Sequence, residues 1–345
     1  MSLITEHNDR HQSPGVSQGV WFDDALSVYV TQDLSVISAI LRSPDWVVAY
    51  REPVDRILGD TMLGAQTRYD TTRFAFENLP LANEGDRHSQ LRRAFALRLA
   101  AHREELEVSL PGVLAPMVDQ ALSKPSADLV GEIVLPLVRH ILQVYGAPEH
   151  VDETVSVSQV LDPLISLGRR QRIEKSLTNM RADLAAAGDG LTEAEIAQGL
   201  SFQILGGDSL AGSLSASLFA VLDAHPGWRL CDIDWPEHIA GTGVPYIARR
   251  CTRAMRVNAY DFEEGAFIRL YLRQFAGLAR KANAETVFGI GRHVCPGKNI
   301  SLRIWAIMAD VLARRAESVR VRSYRWRSSD YVFDHLDELV LDVHG

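Results

Sequence analysis

The stretch from Ile196 to Ala224 is the feature that leaves this chain fewest ways to fold. It is long and largely apolar, interrupted by Gly206-Gly207 and by Gly212. A helix apolar on nearly all sides has to be surrounded by protein, so the domain must be built around it. Thr192 followed by Glu195 forms a capping-box pattern at its start, and His225-Pro226-Gly227 ends it. Paired glycines inside such a helix mark a kink or the close approach of another group.

From about residue 90 to 225 the pattern is mostly helical. Arg92 to Leu110 is rich in Ala, Leu, Arg and Glu, all strong helix formers. Val113–Leu122 and Leu129–Tyr145 repeat apolar residues at three- and four-residue spacing. Gly146 and Pro148 stop the second of these after Tyr145. Strand character is confined to Arg256–Leu272 and Val319–Val343, where residues alternate and β-branched types recur. The expected architecture is a polar N-terminal tail over 1–20 and one mainly α domain with a minor β region over 21–345.

With 345 residues, 46% apolar and 23% charged, the chain can enclose a pocket without disulfide or metal staples. Its net charge of −8 argues against a general nucleic-acid binder. No run of apolar residues is long and charge-free enough to be read as a membrane span, and the polar start Met1–Gln12 lacks the order of a signal peptide. Three widely spaced cysteines, Cys231, Cys251 and Cys295, form neither a disulfide framework nor a zinc pattern. A cytoplasmic location is the expectation.

Chemistry concentrates at Phe288–Gly297. Three glycines bracket Cys295, and Pro296 follows it, suited to a first helical turn. The apolar stripe Ile304, Ile307, Met308, Val311, Leu312 continues as a helix. Cys295 therefore sits by a helix N-terminus, where backbone N–H groups and the helix dipole favour a thiolate. Three readings remain open: a core cysteine, a nucleophile with His293 as base, or a thiolate ligand to haem iron.

The run Phe288, Gly289, Gly291, His293, Cys295, Gly297 resembles the haem-binding signature F-G-x-G-x-H-x-C-x-G of bacterial cytochrome P-450 enzymes. The resemblance implies a single triangular, haem-enclosing domain with haem b ligated axially by Cys295. Elsewhere the match extends over about residues 80–312. His88 and Arg92 resemble the family's H-x-x-x-R segment, whose two side chains share one helical face and meet a haem propionate. Arg250, with Arg253 as the next candidate, resembles the arginine at the other propionate. Phe288, Gly289, His293 and Gly297 complete the implied cofactor set.

Departures from the family pattern lie on the oxygen side and in the framework. Gly206 and Gly207 match the glycines of the central helix, but Ser209 stands where the relay acid belongs and Leu210 where the threonine belongs. Asp208 supplies the acid only if the register slips by one, a turn of about 100° on a helix. Ser209 or Ser213 can supply a hydroxyl unless each merely bonds its own helix backbone. The E-x-x-R pair counts back from Arg250 to Glu237 and Ala240, so its arginine is lost. Glu237 must then be exposed, protonated or paired elsewhere. Phe288 follows Ile268 by only 20 positions, a shortened connection.

These features imply a haem-thiolate oxidoreductase, of monooxygenase type, acting on a small, moderately apolar metabolite such as those of secondary metabolism. Gly206, Gly207, Asp208 and Ser209 are its oxygen-side candidates. Leu58, Met62, Leu63, Phe74, Phe76, Leu161, Leu164, Ile165 and Phe202 are the candidates for the substrate pocket. A ferredoxin or reductase would dock at Arg87, Arg92, Arg93 and Arg98. The alternatives are peroxide-driven oxidation, a redox-neutral rearrangement or dehydration, a non-catalytic haem protein, and last a cysteine hydrolase without haem.

Overall fold

The computed structural model describes residues 19–24, 27–49, 69–145, 158–159, 166–186, 191–278, 286–327 and 333–345. The first half contains β1 (Val20–Asp23), β2 (Val28–Thr31), α1 (Leu34–Arg42), β3 (Trp46–Val48), α2 (Asp70–Glu77), α3 (Gly85–Ala101), α4 (Arg103–Leu122), β4 (Ser126–Asp128) and α5 (Leu135–Tyr145). Then follow α6 (Leu167–Ala186), α7 (Glu193–Ala224), β5 (Tyr246–Cys251), β6 (Met255–Val257), β7 (Tyr260–Phe262), β8 (Phe267–Tyr271), α8 (Lys298–Leu312), β9 (Ser318–Arg327) and β10 (His335–His344). The fold is mainly α with a minor β part. The tail expected over 1–20 lies outside the described residues up to 18, and Val20 already belongs to β1.

The central helix is α7. Its start carries the full capping box: the Thr192 hydroxyl accepts from the Glu195 amide, and the Glu195 carboxylate accepts from the Thr192 amide. Buried residues occur on every side of it, from Ile196 to Leu222. It is the only described helix long and apolar enough to cross a membrane, yet 72% of that apolar window is buried inside the fold. It packs against α5, α6, α2 and β10.

The helix continues through Gly206-Gly207 as α-helix. The close approach occurs instead at Gly212, where a Cβ would fall on the Asp334 carbonyl oxygen and lie 2.6 Å from the Gly243 Cα. Two serines of α7 bind the extended segment that crosses there: the Ser213 Oγ accepts from the Gly243 amide at 3.2 Å and the Ser217 Oγ from the Gly241 amide at 3.0 Å.

Expected helices redivide at two points. In the stretch expected over Leu129–Tyr145 a π-helical turn, Val130–Val134, precedes α5. The chain breaks at His102, between α3 and α4, and α4 then runs on through Pro111 and Pro116. Strands lie where alternation marked them, in β6–β8 and in the β9–β10 hairpin, and also in β1–β5, outside the two stretches that alternation marked. The larger sheet has the order β1-β2-β8-β5-β3, antiparallel except for the parallel β2–β8 pair. The smaller has the order β4-β10-β9. Between Ala224 and Tyr246 the chain forms only one short turn of helix, Leu230–Asp232, and in this stretch Glu237 is exposed.

Candidate active site

The loop before α8 is held by its own backbone. The Cys295 amide donates to the Phe288 carbonyl at 2.7 Å, and the Val294 amide to the Gly291 carbonyl at 3.2 Å. Gly289 and Gly291 have φ of +81° and +76°, the left-handed region that side chains disfavour. A Cβ on Gly291 would also lie 2.6 Å from the Leu41 carbonyl oxygen of α1. Gly289 and Gly291 are thus required by the turn, and Gly291 also by its seat on α1.

Cys295 is open to a cavity of about 280 Å³. Beyond that opening it is ringed by protein, and burial pushes its thiol pKa up; the amides of Gly297 and Lys298 and the Arg92 cation pull against that rise. Two amide donors and a nearby cation are what favours a thiolate at a helix start. Gly297, the N-cap of α8, leaves room beside the sulfur: a Cβ there would stand 3.7 Å from Sγ. Among the described residues no three His, Cys, Asp or Glu side chains gather to hold a metal ion by themselves.

His88, Arg92, Arg249 and His293 line the same cavity. His88 and Arg92 come from one face of α3, as their four-residue spacing predicts. The rings of His88 and His293 lie 4.1 Å apart, tilted by 43°. Burial, with the neighbouring His293 and Arg92, lowers the His88 pKa to about 4, and its Nε2 is buried with no partner among the described residues. The Arg92 guanidinium donates to the Val294 carbonyl at 2.5 Å. His293 is held by Glu84, Nε2 to carboxylate oxygen at 3.1 Å. Burial pushes the Glu84 pKa up, but hydrogen bonds from His293 and from the Val48 amide and the nearby charges together hold it below its ordinary value.

The same cavity is lined by Gly206, Ser209, Leu210 and Ser213 of α7. The Ser209 hydroxyl donates to the Leu205 carbonyl at 2.6 Å, and that of Ser213 to the Ser209 carbonyl at 2.9 Å. Both serines therefore bond their own helix. The remaining lining is largely apolar and includes Phe76, Leu79, Ile141, Leu142, Val244 and Ile247.

Several expected site residues lie elsewhere. Arg250 is exposed, and its neighbour Arg249 is the one in the cavity, 2% exposed, donating to the Ala248 carbonyl at 2.8 Å. Side chains alternate along a strand, so Ile247 and Arg249 share the inner face of β5 and a one-residue slip exchanges the two arginines. Arg253 is at the surface, paired with Asp45 at 2.8 Å. Asp208 does not line the cavity: it is 4% exposed, points the other way from α7 and accepts from the Ser158 hydroxyl. Gly207, next to it, is buried and also absent from the lining. Gly289 shapes the loop without lining the cavity, whereas Phe288, His293, Cys295 and Gly297 all line it.

Of the pocket candidates, Phe76 and Phe202 line the cavity. Phe74 does not; the Arg181 guanidinium lies over its ring at 3.9 Å. Leu58, Met62, Leu63, Leu161, Leu164 and Ile165 lie outside the described residues. Of the four arginines expected to meet an electron donor, Arg87 and Arg93 are exposed. Arg92 and Arg98 turn inward to backbone carbonyls.

These residues fit a haem. A lone sulfur with its donors, an orphaned buried imidazole nitrogen on His88, and Arg92, Arg249 and His293 on the same cavity are what a flat macrocycle with two carboxylates requires. Gly206 adds bare backbone to the lining of the same cavity.

The fold is that of bacterial cytochrome P450 haem domains. CalO2 superposes with a TM-score of 0.74 at 15% identity, over 99% of this chain and 96% of that one. P450BioI, solved in complex with a fatty-acyl-ligated acyl carrier protein, gives 0.72 at 16% identity over 94% and 95%. The P450 haem domain of Tepidiphilus thermophilus gives 0.72 at 16% over 97% and 92%. Neither a protein-family profile nor a curated protein matches the sequence.

Proposed function

We propose that this chain is a haem-thiolate oxidoreductase that oxidises a small, moderately apolar metabolite. The observation that carries the reading is the meeting, in one cavity, of Cys295 with His88, Arg92, Arg249 and His293, contributed by three segments far apart in sequence. Cys295 would supply the thiolate that holds the iron, and the four basic side chains would hold the propionates. Haem bound through a thiolate supplies electron-rich iron for oxygen chemistry. The protein's own part is to fix that group, exclude water with an apolar wall and orient the substrate beside Gly206. The reduced protein with carbon monoxide should give a strongly red-shifted Soret band, and Cys295→Ala should lose it. Failure to take up haem, or a band unchanged in the variant, sinks the reading.

A second reading, peroxide-driven oxidation or a redox-neutral conversion, is favoured by the α7 wall. Leu210 and backbone-bonded serines line the cavity, while Asp208 on the same helix does not and is bonded to Ser158. A wall without a free acid or hydroxyl offers no proton relay of its own. Turnover driven by an electron donor supports the monooxygenase; turnover with peroxide alone, or with no oxidant, supports the second reading. An electron donor such as a ferredoxin has the exposed Arg87 and Arg93 as its basic landing points.

A further inference from the structure

Glu84 belongs to none of the motifs discussed above, yet its carboxylate joins three parts of the fold. One oxygen accepts from the Val48 amide of the edge strand β3 at 2.9 Å. The other meets the His293 Nε2 at 3.1 Å and stands 3.4 Å from the Arg292 guanidinium. Its own residue precedes α3, and its carbonyl accepts the His88 amide at 3.3 Å. His293 is only 4% exposed and its ring lies against that of His88. Both imidazoles that line the cavity are thus referred to one residue, His88 through the backbone and ring contact, His293 through the carboxylate.

We propose that Glu84 is the positioning residue of the cofactor cradle: it holds the His293 ring, and through it the His88 ring, in the orientation that receives a haem propionate. The inference rests on the haem reading above. A carboxylate that orients a ligand-side histidine fixes which ring edge faces outward, and its loss characteristically weakens binding by 10-fold or more, on the order of 10–100-fold. A carboxylate so close to the cradle has one other conceivable effect, competition with the propionate for His293, and this predicts the opposite sign.

The test is haem transfer from the holoprotein to apomyoglobin, for wild type, Glu84→Gln, His293→Ala and the double variant. Gln keeps the shape and an oxygen for the Val48 amide but withdraws the charge from His293. Glu84→Gln should lose haem about ten-fold faster than wild type, with its carbon monoxide band unshifted because Cys295 is untouched. In the His293→Ala background the same change should add less than two-fold, since a residue acting through another shows no further effect once that partner is gone. An unchanged or slower loss in Glu84→Gln overturns the proposal. So does an equal acceleration in both backgrounds, which would mean that Glu84 acts through Arg292 and not through His293. Wild type that takes up no haem overturns the haem reading and this inference with it, an outcome distinct from normal uptake with an insensitive Glu84→Gln.

Discussion

The Arg92 guanidinium donates to the Val294 carbonyl at 2.5 Å across 202 positions of sequence. It thereby ties α3 to the loop that carries Cys295. Removing it takes a charged donor from a part-buried carbonyl as well as withdrawing a cation from the cavity. Arg92→Ala should lower the stability of the haem-free protein by about 1.5–3 kcal/mol, the worth of a hydrogen bond to a charged group, and reduce haem content after expression. Urea unfolding of the haem-free form and the haem-to-protein ratio check both.

Adjacent arginines on β5 should behave differently. Arg249→Ala, facing the cavity, should weaken haem retention by ten-fold or more, about 1.4 kcal/mol per ten-fold. Arg250→Ala, on the exposed face, should leave it unchanged. Haem transfer rates of the two variants decide; the reverse order would place the register one residue away.

Gly206 and Gly212 occupy one helix but should respond oppositely to alanine. At Gly206 a Cβ meets the Phe202 ring at 3.5 Å and Leu142 at 3.9 Å, both ordinary contacts, so Gly206→Ala should gain the helix preference of alanine, about 1 kcal/mol. It should also impede whatever occupies the space before Cys295. At Gly212 the Cβ meets backbone on two sides, at Asp334 and Gly243. Gly212→Ala should cost about 1–3 kcal/mol as an overpacked site. Thermal unfolding of the two variants reads the sign.

Asp208 gives the molecule a pH dependence. Burial raises its carboxyl pKa to about 7, with the Ser158 hydrogen bond and the Arg327 charge opposing. The unfolded chain releases that proton near pH 3.9, so between pH 4 and 7 the folded form holds a proton that the unfolded form has lost. Stability therefore falls as pH rises through that window and levels off above it. Asp208→Asn removes the dependence. Its advantage over wild type should grow by up to about 1.4 kcal/mol per pH unit towards pH 7, measured as urea midpoints between pH 5 and 8. A constant difference across that range would exclude a titrating Asp208.

What could be read in the sequence was local. The capping box at Thr192 and the apolar circumference of α7 are patterns of a few residues, and each lies where it was expected. The boundary at His102 shows the limit of such patterns, because Ala- and Leu-rich sequence on both sides of a break has the same preference. The cavity-facing set of Cys295, His293, His88 and Arg92 was legible as well, since helical spacing and the glycine-bracketed loop constrain which side chains share a face.

The sequence by itself determined the central helix, the turn geometry that needs Gly289 and Gly291, and the isolation of one cysteine before α8. All of these follow from backbone preferences and short-range periodicity. Tertiary structure alone decided that Arg249 rather than Arg250 enters the cavity, that Asp208 turns away from it and that Glu84 holds His293. A strand slipped by one residue exchanges its two faces, and a helix position carries no mark of which neighbour covers it. The Glu84–His293 contact joins residues more than 200 positions apart, and only the packing of α1, α3 and the sheet around the cysteine loop brings them together.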